Sequence, residues 1–441
     1  MLSLIQRKEH CARRAEHRRA ALKDQILEDR VSGASPPVAD DARHGSAQLL
    51  VAQSSSQEDK APRKRRKRKR KRDRKVFAQG AGRKPTPGST PAVKIFNKPV
   101  VAPRPPLHSD VFAALDLGTN NCRLLVAVPT APGQFRVIDA FSRIVRLGEG
   151  LSTSGRLADA AMDRAVDALA HCAAKLQSRQ IRRARLIATE ACRSAANGDL
   201  FLQRVKKETG LDLEIIDRMT EARLAVSGCE SLIERGTDGV VLFDIGGGSS
   251  EIALIDLSRG KRGRLSSHIV AWTSLPVGVV SLAERFGGKH VTRETFAAMV
   301  DAVADLISEF AERDRLKHVA RSRNFHLLGT SGTVTTLAGV HLDLPRYERR
   351  RVDGLWMDSR NVDQMIERLL GWDFEQRVQN PCIGADRADL VLAGCAILEA
   401  IRRVWPSQRL RVADRGLREG ILSELMGDEG VWRRTYKGAR R

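Results

Sequence analysis

The stretch Val240 to Asp256, VVLFDIGGGSSEIALID, carries two carboxylates on either side of a glycine-serine turn. An apolar, β-rich run ends in Asp244, and a second one starts at Glu251, which reads as strand, tight turn, strand. Gly246, Gly247 and Gly248 are expected to adopt positive φ and bring bare N–H groups against a ligand, while Ser249 and Ser250 add hydroxyl donors. A phosphate suits such a turn. Two carboxylates beside a phosphate then require a divalent cation or a proton-transfer role to offset their repulsion.

The pattern occurs twice. In Val111 to Val128, VFAALDLGTNNCRLLVAV, alignment of Asp116 with Asp244 pairs Gly118 with Gly246 and Arg123 with Glu251, and Thr119 and Asn120 fall in the turn. The two copies lie 128 residues apart, the scale of a duplicated domain, and two phosphate turns facing across a cleft is what such a duplication builds. One glycine turn between strands is usually only a hairpin. Two matched copies, each with an aspartate directly before the turn, outweigh that reading.

A third turn follows in FHLLGTSGTVTTLAGV, residues 325–340. Here a strand, then Gly329, Ser331, Gly332 and Thr333, lead into a helix whose N-terminal N–H groups and dipole favour an anion. Arg193, in IATEACRSAAN after a buried strand, is a candidate for gripping phosphate oxygens, and a surface helix arginine is an equal reading on spacing alone. Glu221 opens a helix, where its charge already suits the dipole, and nothing local makes it catalytic. Gly416 and Gly420 in DRGLREGIL point to tight packing rather than chemistry.

Around these turns strands and helices alternate from Ser109 onward, the mark of an α/β architecture. Periodicity predicts helices over 156–179 and 293–319 and a buried strand over 184–189. The chain has 441 residues, more than one core usually supports, so two domains plus additional sequence are expected. Its +23 charge is uneven: residues 1–108 hold 27 Lys and Arg against 10 Asp and Glu, which leaves +6 for the rest. The block Arg63 to Lys75 is Lys or Arg at every position but Asp73. Such density self-repels, so a disordered basic tail and Pro-rich linker are expected over 1–108, contacting a polyanion such as nucleic acid or polyphosphate without sequence readout. No aromatic residue interleaves with the block, so base stacking is not part of that contact.

The seven cysteines are scattered with no CxxC pair, which argues against a metal cluster or disulfide framework. The first thirty residues lack an apolar core of signal-peptide length and no run approaches a membrane span, so a cytoplasmic protein without membrane contact is expected. There is no GxxxxGK[ST], HExxH, GxSxG or GxGxxG with an acidic ribose hook. Phosphate turns plus carboxylates leave phosphoryl chemistry, which needs positioning, a metal and a water-activating base.

The ordered set LDLGTNNCRLL, ATEACRSAAN, TEARLA, LFDIGGGSSE, GTSGTVTTLAG and DRGLREGIL resembles the Ppx/GppA phosphatases, the exopolyphosphatases and guanosine pentaphosphate phosphatases of the actin-like superfamily, over residues 110 to about 427. The resemblance implies two actin-like (ribonuclease H-like) domains with an interdomain cleft, expected at 109–234 and 235–430 with a short basic tail at 431–441. It implies Mg2+-dependent release of terminal phosphate from polyphosphate or pppGpp, a possible homodimer, and the following roles. Glu221, before Ala222 and Arg223, is the water-activating base. Asp244 and Glu251 bind metal or assist the water, and Asp116 is the first-turn acid at the metal. Gly118, Thr119, Asn120, Arg193, Gly246, Gly247, Gly248, Ser249, Ser331, Gly332 and Thr333 hold phosphate. Thr220, where relatives often carry an acid or Gln, and Thr119-Asn120-Asn121, where they often carry Ser-Asn-Ser, depart from the pattern but keep hydrogen-bonding capacity. The extra C-terminal helical domain of longer exopolyphosphatases has no counterpart here, which bears on processivity. An actin-like kinase or ATPase, and a non-catalytic polyanion-binding regulator, are the alternative readings.

Overall fold

The computed structural model describes residues 110–131 and 133–432. The expected tail at 1–108, with Arg63 to Lys75, and the C-terminal residues from 433 lie outside the described residues.

Two mixed sheets carry the duplication. In the first, the strand order is β3-β2-β1-β4-β5, with β1 Val111–Leu117, β2 Asn121–Pro129, β3 Phe135–Ile144, β4 Ile181–Ala188 and β5 Glu214–Ile215. The second has the order β10-β11-β9-β6-β7-β8, with β6 Gly239–Ile245, β7 Ser250–Asp256, β8 Ile269–Leu275, β9 Phe325–Thr330, β10 Trp356–Asp358 and β11 Arg409–Val412. In each, an antiparallel meander of three strands is extended by strands parallel to the first, so β1, β2, β3, β4 and β5 match β6, β7, β8, β9 and β11. Strand β10 is an addition, antiparallel on the far edge. The aligned residues are also equivalent in register, since Asp116 faces Arg123 across the first hairpin and Asp244 faces Glu251 across the second. These are two actin-like domains.

Strand alternation sends each carboxylate to a defined face. Asp116 shares parity with Phe112 and Ala114, which pack under Leu417, Ile421 and Met426 of the C-terminal helix Leu417–Asp428. Asp244 shares parity with Val240 and Leu242, and Glu251 with Ala253 and Ile255, which pack under Ala225, Val226 and Cys229 of the helix Arg218–Cys229. These two helices lie against each other between the sheets. A Cβ on Gly420 would run into the Leu224 carbonyl, and one on Gly228 into that of Gly416, so the expected tight packing at DRGLREGIL is realised. The last helix thus follows the second sheet in the chain but packs on the first.

The helix expected over 293–319 ends at Ser308. Arg313 turns back and donates to the carbonyls of Ser308 and Phe310, satisfying acceptors that a continuing helix would have used. No helix among the described residues is long and apolar enough to cross a membrane, and the six described cysteines are buried free thiols.

Candidate active site

The two turns are built alike. Gly118 N–H donates to the Asn121 carbonyl at 2.9 Å, and Gly246 N–H to that of Ser249 at 3.0 Å. Each closure leaves the next N–H groups, of Thr119 and Asn120 and of Gly247 and Gly248, without an acceptor among the described residues. The turns also touch. A Cβ on Gly247 would lie 2.9 Å from the Thr119 Cβ, and one on Gly248 2.9 Å from the Thr119 Oγ1. Close approach, not backbone freedom, is what these glycines provide: contrary to the sequence expectation, none of Gly246, Gly247 and Gly248 has a positive φ. The left-handed residue of the site is Ser331, at φ 80°, which caps the helix Gly332–His341.

Between the turns lies a cavity of about 570 Å³. Asp116, Gly118, Thr119, Asn120, Glu221, Asp244, Gly246, Gly247, Gly248, Ser249, Glu251, Ser331, Gly332 and Thr333 line it, whereas Arg193 does not, and Ser250 turns away to donate to the Val277 carbonyl at 2.7 Å. Arg193 stands behind the wall. It donates to Glu221 Oε2 at 3.0 Å, to Glu190 Oε2 at 2.6 Å and to the Ile216 carbonyl at 2.6 Å. Its guanidinium therefore orients Glu221 instead of presenting an open fork. Two hydroxyls are engaged as well. Ser249 donates to Glu251 Oε1 at 2.6 Å, and Ser331 to the Ile245 carbonyl at 2.7 Å.

Glu221 sits in the first turn of its helix, whose N-cap Asp217 accepts from the Thr220 N–H. Burial raises its carboxyl well above the usual range, with the charges of Glu251 and Asp116 adding to the rise and Arg193 opposing it. Burial also pushes Asp244 up to about 6 and Glu251 to about 7. Asp116 is raised by burial against the pull of Arg123 and Arg418. Glu190 behaves oppositely: burial would raise it, but hydrogen bonds from Arg218, Ser194 and Arg193 hold it low. It is a counter-ion, and Glu221 is the poised carboxyl.

Sequence reasoning missed the arginines of the cavity. Arg123, Arg387 and Arg418 all line it, and none has a side-chain hydrogen bond or ion pair among the described residues. Arg418 is the most telling. It is the second residue of the helix Leu417–Asp428, where the dipole disfavours a cation, and burial depresses its pKa. The adjacent Glu419 is its nearest compensating charge but makes no direct bond to it, and accepts instead from Arg349 at 2.7 Å and from the Gly416 N–H at 3.0 Å. The available signal was a basic residue in the first turn of a predicted helix. Asn120 Oδ1 and Asn121 Oδ1 are likewise buried without a partner.

A duplicated β-meander fold with matched phosphate-sized turns and four raised carboxyls, one of them held by an arginine, defines an actin-like scaffold with an anion-sized cavity. The chain belongs to the Ppx/GppA phosphatase family, whose profile matches residues 126–429. Among characterised relatives, it is 31% identical to a guanosine-5'-triphosphate,3'-diphosphate pyrophosphatase of Photobacterium profundum, covering 72% of this chain but only 60% of that protein. It is 29% identical to exopolyphosphatase 2 of Mycobacterium tuberculosis, covering 71% of this chain and 98% of the relative. Of solved structures, an exopolyphosphatase-like protein matches with TM-score 0.62 at 25% identity, over 71% of this chain and 97% of its own. An Aquifex aeolicus family member matches at 0.57 and 26%, over 73% and 98%.

Proposed function

We propose that the protein is a metal-assisted hydrolase that releases terminal phosphate from inorganic polyphosphate, from pppGpp, or from both. One observation carries this reading: Glu221, fixed by Arg193 at 3.0 Å, faces a cavity framed by two matched turns with unsatisfied N–H groups. A mere binder needs no buried, charge-raised carboxyl held beside the phosphate turns.

The turns hold the oxygens of the terminal phosphate through the N–H groups of Thr119, Asn120, Gly247 and Gly248, assisted by the helix start at Gly332 and Thr333. Glu221 accepts the proton of a water aligned with the scissile bond. Burial raises its carboxyl well above the ordinary range, so activity rises with pH as it deprotonates. Glu251, fixed by Ser249 and Ser274, offers its other oxygen to the same water or to a cation.

Asp116, Asp244 and Glu251 suit Mg2+ by chemistry: hard oxygen donors whose charge the buried site does not balance. Among the described residues no three His, Cys, Asp or Glu side chains form a ready-made metal cluster. That fits an ion which takes one or two carboxylates and completes its shell with water and substrate oxygens. When bound, Mg2+ would neutralise charge on the phosphates.

The deciding experiment is phosphate release with Mg2+ from long polyphosphate, short polyphosphate, pppGpp and ATP in parallel. Release from none of them removes the hydrolase reading in favour of a binding regulator. Release from ATP alone favours the kinase-like one.

Two further outcomes are expected. Asp244 and Glu251 bind protons more tightly when folded than when unfolded, so the metal-free fold gains stability as pH falls through 7 and 6 and loses it as pH rises again. Melting temperature recorded from pH 8 to pH 5 without metal should climb, and added Mg2+ should flatten the curve; a flat metal-free curve contradicts the buried-carboxylate picture. For the segment 1–108, we propose the polyanion contact through Arg63 to Lys75. Its deletion should leave turnover of short substrates unchanged while weakening long-polyanion binding and flattening its salt dependence, read from binding isotherms at two ionic strengths.

A further inference from the structure

Residues 145–152 leave the end of β3 and touch both domains. On one side their backbone is bound to the first phosphate turn. The N–H groups of Val145 and Arg146 donate to the Asn120 carbonyl at 2.9 and 3.1 Å, and the Gly148 N–H donates to that of Thr119 at 2.9 Å. A Cβ on Gly148 would run into the Thr119 side chain, so this approach admits only glycine.

On the other side the same residues reach the second domain. Arg146 donates to both oxygens of Asp389, at 3.0 and 3.1 Å, and to the Asp386 carbonyl at 3.1 Å. The Gly150 N–H donates to Glu284 Oε1 at 2.8 Å, and Ser152 donates to the other oxygen of Glu284. Glu284 belongs to the helix Val279–Phe286, which is itself fixed to the second phosphate turn: Val279 and Val280 donate to the carbonyls of Gly246 and Gly247 at 2.9 and 2.8 Å. A continuous chain of contacts thus runs from the first turn through residues 145–152 to the second turn. It is held at a backbone cost, since Arg146 has a left-handed φ of 46°. Asp386 and Asp389 also flank Arg387, one of the unpaired arginines lining the cavity.

We propose that residues 145–152 form a strap, with the Arg146–Asp389 pair as its clasp, which holds the two domains closed and so fixes the spacing of the two phosphate turns. Arg146 is then a positioning residue that touches no substrate, and its effect on turnover rests on the hydrolase reading above. Both turns must engage one phosphate group. A protein without the clasp is competent only in the fraction of molecules that happen to be closed, and apparent affinity falls by that fraction. Saturating substrate restores closure through its own contacts, so KM carries the effect and kcat does not.

The test uses the full chain with Cys11 replaced by Ser and spin labels at L200C and K317C, exposed positions on opposite domains. Distance distributions and kinetics are recorded for the parent, for R146A, for the isosteric D389N and for the exchange R146D/D389R. Aspartate tolerates a left-handed φ better than most residues, so the exchange keeps the strap's geometry accessible. The parent should give one narrow distribution. Both single variants should give longer, broader ones, with KM raised about tenfold and kcat within threefold, and the exchange should restore both readouts. Unchanged distances in R146A and D389N overturn the clasp, whatever the activity. So does a KM that the exchange fails to lower once its distances are restored. If the parent releases no phosphate, the hydrolase reading fails while the distances still judge the clasp.

Discussion

Glu221→Gln should reduce kcat by a factor on the order of 10² or more while KM stays within a few-fold of the parent value. The replacement is nearly isosteric, and its amide oxygen can still accept the Arg193 hydrogen bond that Glu221 Oε2 accepts at 3.0 Å, so the helix start and the cavity wall keep their shape. What disappears is a carboxylate able to take a proton from water. The lost pH dependence is the sharper signature. The parent profile should carry an acidic limb set by a carboxyl raised above its ordinary range, and the variant should lack it. Near-parental turnover in the variant would take the base role away from Glu221, and Glu251 would become the next carboxyl to test. Arg193→Met should reproduce part of the same loss through misplacement of Glu221, although Arg193 does not line the cavity.

Arg418→Met should lower kcat/KM by roughly 10² to 10³, the scale of removing one partner from a desolvated, hydrogen-bonded charge pair. It should leave melting temperature unchanged or slightly raised. The two halves of that expectation come from one fact. In the protein alone, Arg418 is a desolvated cation at the unfavourable end of a helix, with no hydrogen bond or ion pair among the described residues. Its removal costs the fold weaker compensation of Asp116 and of Glu419, whose carboxyls Arg418 helps to keep ionised, and Arg349 and the Gly416 N–H still hold Glu419. A phosphate in the cavity supplies the missing anion, and only then does the guanidinium become strongly favourable. Arg418→Lys should fall between, keeping the charge without the bidentate fork. A large drop in melting temperature with normal kcat/KM would show instead that Arg418 is a structural residue.

Much of this site was legible in local sequence. Asp116-Leu117-Gly118 and Asp244-Ile245-Gly246 announce their strand-turn-strand units because continuous apolar runs and turn-forming residues are local signals, and the repeat between them implied the facing arrangement that the contacts of Gly247 and Gly248 with Thr119 display. Less legible was the reason for the glycines. Positive φ is the commonest demand on a glycine, but at Gly247 and Gly248 the demand comes from Thr119 of the other turn, more than a hundred residues away.

The amino-acid sequence by itself determined the family, the duplicated architecture and the identity of the cavity-lining turns and acids, because those rest on short contiguous patterns. Tertiary structure alone decided what each side chain does there. Arg193 could be read as a phosphate grip until Glu190 and Glu221 were seen to occupy its donors. Arg418 stood unremarked between two packing glycines, and only the fold puts it in the cavity wall without a direct hydrogen-bond or ion-pair partner among the described residues. Arg146 carried no signal at all, since its meaning depends on Asp389, 243 residues further along the chain. A charge is defined by its partners, and it is the fold that decides which partners these arginines find or lack.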